Sequence, residues 1–156
     1  MTDRYCVIGN PIAHSKSPRI HAQYAAELGE DLLYEQCLAP VDGFAATVAR
    51  LVGEGCKGAN VTVPFKLEAA RLATRLTARA QAAGAVNTLV FDGGEIVGDN
   101  TDGVGLVADI VRRSAPYGAF PANMRTKGKD DLWEVFTRFQ FTREDSLRAT
   151  LGNASP

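Results

Sequence analysis

The stretch YCVIGNPIAHSKSP, Tyr5 to Pro18, sets the fold class. Tyr5-Cys6-Val7-Ile8 is a short apolar run that ends at Gly9, the signal of a buried strand. A polar loop runs from Asn10 to Ser17, and Pro18 then stands where a helix can begin. A first-turn position has no intrahelical N–H partner to lose, so proline is tolerated there, and Ser17 is the expected N-cap. A helix over Arg19 to Leu28 closes at Gly29. Strand, loop and helix in this order form one half of a β-α-β unit.

The same alternation continues outward. Leu32 to Leu38 reads as a strand, and Phe44 to Val52 as a helix with Phe44, Val48, Leu51 and Val52 on one face, ended by Gly53 and Gly55. Ala59 to Val63 alternates small or apolar with polar residues and stops at Pro64. Leu67 to Leu76 is alanine-rich and reads as a helix; Thr77 to Ala83 reads as another, closed by Gly84. Val86 to Phe91 and Glu95 to Val97 are strands joined through Asp92-Gly93-Gly94, a strong hairpin signal. Gly98 to Gly103 reads as a polar turn and Val104 to Val111 as a helix. The expectation is an open, mostly parallel α/β sheet with helices on both faces and one antiparallel hairpin.

Composition and charge narrow the function classes. The chain has 156 residues, 46% hydrophobic and 22% charged, enough for one core and tight for two domains. Its 17 basic and 18 acidic residues give a net charge of -1, so no global field favours nucleic acid. No apolar run reaches bilayer length, and the N-terminus lacks a signal-peptide pattern, which points to a cytoplasmic protein. Cys6, Cys37 and Cys56 form no C-x-x-C pair and are expected to be small buried hydrophobes. No metal set is legible.

The segmentation changes after residue 112. Residues 1–112 are expected to form the α/β domain, and residues 113–156 a divergent tail with a loop and a helical appendage. In that tail Leu132, Val135, Phe136 and Phe139 recur at helical spacing.

Four polar clusters carry the chemistry. They read GNPIAHSKSP (Gly9 to Pro18), GANVTVPFK (Gly58 to Lys66), AGAVNTL (Ala83 to Leu89) and GDNTDGVG (Gly98 to Gly105). In an open α/β sheet, loops leaving the carboxyl ends of strands line the ligand crevice. Hydroxyls, amides, an ammonium and a carboxylate together suit a small, polyhydroxylated, anionic ligand. Alone, Lys66 would pass for a solvated surface residue, and Asn60 and Thr62 for structural strand-edge polar groups.

All four motifs, in this order and spacing, resemble the shikimate dehydrogenase family, over about Tyr5 to Ile110. The resemblance implies an NADP-dependent, reversible reduction of 3-dehydroshikimate to shikimate in aromatic amino acid biosynthesis. It assigns Ser15 and Ser17 to the substrate carboxylate, and Asn60, Thr62, Asn87 and Asp102 to the ligand. Lys66 and Asp102 match the family's catalytic pair, with Lys66 also touching substrate. His14 reads as loop-supporting, His21 as a plain helix residue, and Tyr24 and Phe65 as packing residues.

The family continues into a second, NADP-binding domain with its own glycine-rich turn, and none is legible here. Gly103 to Ala108 satisfies G-x-G-x-x-A but lacks the β-α-β context, so its glycines are expected to allow close helix packing instead. No cofactor-binding residue is therefore assigned, and Gln140 is not matched to the family's late substrate glutamine. The expectation is a chain cut to the substrate domain; a non-catalytic shikimate-binding module and a quinate-using relative remain compatible with the residues.

Overall fold

The computed structural model describes residues 2–114, with side chains as far as residue 109. Its strands are β1 (Asp3–Gly9), β2 (Leu32–Leu38), β3 (Gly58–Val61), β4 (Arg75–Leu76), β5 (Thr88–Asp92) and β6 (Glu95–Asp99). Its helices are α1 (Ser17–Leu28), α2 (Phe44–Gly53), α3 (Lys66–Leu72), α4 (Ala78–Ala83) and α5 (Asp102–Ser114). The expected tail helix lies outside the described residues.

The strands form one sheet in the order β2-β1-β3-β5-β6-β4. The β1–β2, β1–β3 and β4–β6 pairings are parallel; β5 runs against both of its neighbours. The expected hairpin is present: Asp92 pairs with Glu95, and Gly93 and Gly94 between them have φ of 56° and 92°. A two-residue turn with positive φ at both positions matches the strand twist, and only glycine adopts it freely.

Both faces of β1 are buried. Cys6 and Ile8 join Phe44, Val48, Leu51, Phe65 and Ala69 in the main core, under α2 and α3. Val7 packs with Ile12 and Tyr34 on the opposite face, where α1 crosses β1 and β2. Phe44 and Phe65 are 0% and 1% exposed and stack at 4.9 Å. Burying each ring contributes roughly 1.5–3 kcal/mol. All three cysteines are free and buried, as expected of small hydrophobes.

Several sequence expectations need correction. Ser17 does not cap α1: the cap position is Lys16, and Ser15 Oγ accepts from the Ser17 N–H at 3.3 Å. Pro18 does stand in the first turn, and Gly29 closes the helix at φ 71°. The expected helix from Leu67 to Leu76 stops at Leu72, and the chain then adds β4 to the free edge of β6. Thr74 Oγ1 accepts from the Ile96 N–H at 2.9 Å and its own N–H donates to the Ile96 carbonyl at 2.8 Å. Those bonds satisfy ladder groups at the edge, and they override the helix propensity of an alanine-rich segment. Gly98 makes room for this: a Cβ there would lie 2.7 Å from Val86 and 2.8 Å from Leu76. Tyr24 is 56% exposed and lies outside the buried core, and Val52 is 38% exposed.

Asp99, the last residue of β6, ties α4 to the sheet. Arg79 Nε donates to Asp99 Oδ1 at 2.6 Å and Thr77 Oγ1 donates to the same oxygen at 2.6 Å. The Arg79 guanidinium, above all, holds this carboxyl down at about 2 against the opposing effect of burial, with help from Thr77 and the Asn100 N–H. A carboxyl whose pKa is depressed by folding contributes stability above its unfolded value near 3.9, and that contribution is lost as pH falls towards 2. The melting-temperature gap between the wild type and Asp99→Asn should therefore be wide at pH 6 and narrow at pH 2.5. A gap of equal size at both pH values, measured by circular dichroism, would contradict this role.

Candidate functional site

The ends of β1, β3 and β6 lie at one edge of the sheet, and the loops that leave them carry the first, second and fourth motifs. The third motif precedes its strand: Asn87 stands just before β5, and reaches the same edge because β5 runs backwards. Two close approaches shape the first loop. A Cβ on Gly9 would meet Thr62 Cγ2 at 2.6 Å and Ile12 Cδ1 at 2.9 Å, so glycine lets the β1 and β3 loops touch. Asn10 then donates its N–H to the Val63 carbonyl at 3.0 Å and its amide to the Ala39 carbonyl at 2.8 Å.

Lys66 and Asp102 meet directly, with Nζ 2.5 Å from Oδ2, their side chains 21% and 22% exposed. Lys66 opens α3 immediately after the buried anchor Phe65, and Asp102 opens α5. A cation at a helix N-terminus is disfavoured by the helix dipole, whereas a carboxylate there is favoured. The Asp102 charge offsets the first placement. Its second oxygen, Oδ1, accepts from Asn87 Nδ2 at 2.8 Å. One of the three Lys66 donors is thus committed, and two can meet a ligand oxygen.

Asn87 is buried and is the hub of the cluster. Its Nδ2 also donates to Thr101 Oγ1 at 2.9 Å, and its Oδ1 accepts from the Thr101 N–H at 3.0 Å and from Thr88 Oγ1 at 2.9 Å. Its carbonyl accepts from the Val61 N–H at 2.8 Å, and its own N–H donates to the Asp99 carbonyl at 3.0 Å. Asn60 joins the group by donating Nδ2 to Thr88 Oγ1 at 3.3 Å and to the Asn87 carbonyl at 3.4 Å.

Asn60 Oδ1 accepts from Tyr34 Oη at 2.6 Å. The His21 ring stacks on Tyr34 at 3.9 Å, and His21 Nδ1 lies 2.9 Å from the Ser17 carbonyl. Burial pushes the Tyr34 phenol up, the buried Cys6 adds to this, and the Ser17 hydroxyl draws it back. This chain of contacts links Ser17 to Asn60. Ser15 and Ser17 are half-buried, and Gln36 Nε2 holds their loop through the Ser15 carbonyl at 2.9 Å. Thr62 is held through its backbone, its N–H donating to the Ile8 carbonyl at 2.9 Å.

The structure thus joins Lys66, Asp102, Asn87 and Asn60 through side chains, and sets Ser15, Ser17 and Thr62 on the adjoining loops. Beside them a cavity of about 480 Å³ opens on the α1 face, bordered by His21, Tyr34, Asn60 and Thr88. It meets the polar cluster at Asn60 rather than at Lys66. His14 is exposed.

Two supporting residues escape sequence reasoning. Asn100 is 0% exposed, donates Nδ2 to the Ala85 carbonyl at 3.1 Å, and accepts from the Asp102 N–H on Oδ1 at 3.1 Å. Its bond to the first N–H of α5 aims Asp102; an Asn two residues before a helix start is a legible turn signal. Tyr34 has no such signal, because its partner lies two strands away.

The G-x-G-x-x-A pattern falls wholly within α5, not on a strand-to-helix turn, so it does not fit a pyrophosphate cradle. Close packing does not explain Gly105 either: a Cβ there would meet nothing within 4 Å. Among the described residues no metal-binding group of three or more His, Cys, Asp or Glu occurs, and no helix is long and apolar enough to cross a membrane.

The family model described as the shikimate dehydrogenase substrate binding domain matches residues 7–89, more than half of the chain. The shikimate dehydrogenase (NADP(+)) of Herminiimonas arsenicoxydans is 69% identical over 114 residues, covering 73% of this chain and 42% of the relative. Among solved structures, an Ael1 enzyme from Pseudomonas putida superposes with a TM-score of 0.73 at 34% identity, over 98% of this chain and 61% of its own. The shikimate 5-dehydrogenase of Listeria monocytogenes, solved with shikimate and NAD, superposes with a TM-score of 0.68 at 31% identity, over 72% of this chain and 39% of its own. The chain spans about two fifths of the length of the curated relatives it matches. It belongs to the shikimate dehydrogenase family, through that family's substrate-binding domain.

Proposed function

We propose that this chain holds shikimate and 3-dehydroshikimate and supplies the acid–base group for their reversible interconversion. The observation that carries this reading is the Lys66–Asp102 pair at 2.5 Å, mostly shielded from solvent and locked by Asn87 among hydroxyl and amide groups. The proposed substrate domain spans residues 1–112, its boundary falling within α5, which runs on to Ser114. Three free, buried thiols suit a reducing cytoplasm.

In this reading Ser15 and Ser17 bind the ligand carboxylate, with Ser15 Oγ already oriented by the Ser17 N–H. Asn60, Thr62 and Asp102 bind ring hydroxyls, and Asn87 does so by exchanging its bond to Thr101 Oγ1 for one to the ligand. Hydride delivery to the ring ketone carbon, which a nicotinamide bound outside the described residues would supply, leaves negative charge on the ketone oxygen. Lys66 donates a proton there, giving an alcohol and a neutral amine. In the reverse direction the amine takes that proton back. Asp102 keeps the ammonium aimed at the oxygen. The nicotinamide named for the relatives finds no fitting cradle among the described residues, so the hydride would come from outside them and these residues handle only the proton.

Two experiments follow. Calorimetry on the purified chain is expected to show shikimate binding and none for NADPH. NADPH binding near micromolar affinity, roughly -8 kcal/mol, would overturn the reading of residues 1–112 as a substrate domain only. Second, in a chimera carrying a relative's cofactor domain, Lys66→Ala should lower turnover by about 10²–10⁴-fold. The Michaelis constant should change little, because the ring hydroxyls keep Asn60, Asn87 and Asp102. A raised Michaelis constant with intact turnover would make Lys66 a binding residue alone.

A further inference from the structure

We propose that Tyr34 is a positioning residue that fixes the Asn60 amide so that Asn60 meets a ligand only as a hydrogen-bond acceptor. The proposal rests on the shikimate reading above and adds a residue outside its four motifs.

An asparagine amide can turn over with almost no change of shape, so its neighbours decide which end faces which way. At Asn60 the neighbours are unambiguous. The Nδ2 end faces the Asn87 carbonyl, which can only accept, and Thr88 Oγ1, whose single proton goes to Asn87 Oδ1. Both amide hydrogens are therefore committed. The Oδ1 end faces the Tyr34 hydroxyl at 2.6 Å, which donates its proton there. One lone pair on Oδ1 is the capacity that remains, and it fits a hydroxyl donor on a ligand, not a carbonyl.

Tyr34 is itself held for this task. It is 8% exposed, and the His21 ring lies parallel to it, within 9°. His21 Nδ1 faces the Ser17 carbonyl, an acceptor, so that nitrogen carries the proton and the imidazole plane is fixed. Tyr34, His21, Asn60 and Thr88 all border the cavity on the α1 face, so the network is not sealed within the core. The contact thereby couples the loop proposed to bind the carboxylate to the residue proposed to bind a ring hydroxyl.

The test is a double-mutant cycle on shikimate affinity, with thermal melts of each variant. Tyr34→Phe keeps the ring and its stacking and removes only the hydroxyl. It should weaken shikimate by about 3- to 10-fold. In an Asn60→Ala background the same change should be nearly silent, less than about 2-fold. Equal losses in both backgrounds would mean that Tyr34 acts through general structure, and no loss in either would mean that it does not act; each result overturns the proposal. Side-chain amide NMR on the ligand-free chain gives a reading independent of shikimate. Tyr34→Phe should shift or broaden the Asn60 amide pair, and an unchanged pair overturns the proposal. If the wild type fails to bind shikimate, the functional reading falls, while the amide spectrum still decides what Tyr34 does to Asn60.

Discussion

The Asn87 side chain is the interaction on which the rest of the site depends. One buried amide touches Asp102, Thr101 and Thr88, while its backbone joins the end of β3 to the end of β6. Remove it and a half-buried carboxylate loses its second partner, and three loops lose their common fastening. The arrangement exists because β5 is reversed in an otherwise parallel sheet. Were β5 parallel to β3, Asn87 would emerge at the opposite edge, far from Lys66. The direction of one strand is thus part of the chemistry.

The pair that Asn87 supports is not placed for stability. Lys66 sits at the disfavoured end of α3, and an ion pair so far withdrawn from water costs desolvation that its attraction roughly repays. Breaking a fully buried pair costs about 3–5 kcal/mol because the surviving charge is stranded; with a fifth of each side chain exposed, the cost here is smaller. Asp99 and Arg79 differ in kind. That pair fastens α4 to β6, and its strong depression of the Asp99 carboxyl reports a structural ion pair at the back of the site. Two acidic residues three positions apart therefore divide the work, Asp99 towards the fold and Asp102 towards the proposed ligand.

Most of the fold was legible because local chemistry and tertiary structure agree. The apolar run before Gly9, the glycines at 29, 84, 93 and 94, and the helical spacing of Phe44, Val48 and Leu51 each marked an element that formed. Where they disagree, the sequence misleads. Leu67 to Leu76 favours helix throughout, but after Leu72 the open edge of β6 captures Arg75 and Leu76 as a strand. Ser17 has the chemistry of a cap, yet Ser15 supplies the bond. The candidate site was legible through motif spacing rather than through any single residue. Its support Tyr34 was not: Tyr34 pairs with Tyr5, which pairs with Gly58, so its reach to Asn60 requires a strand order that no local pattern reveals.

The central claim is that these loops form one preorganised shikimate site around Lys66 and Asp102. A crystal structure of the chain with shikimate tests it most directly. The account expects the carboxylate at Ser15 and Ser17, and ring oxygens within hydrogen-bond reach of Lys66, Asp102, Asn87 and Asn60. Those side chains should lie within about 0.5 Å of their ligand-free positions, as a preformed site requires. Shikimate seated elsewhere, or bound only after Lys66 and Asp102 have separated, would contradict it.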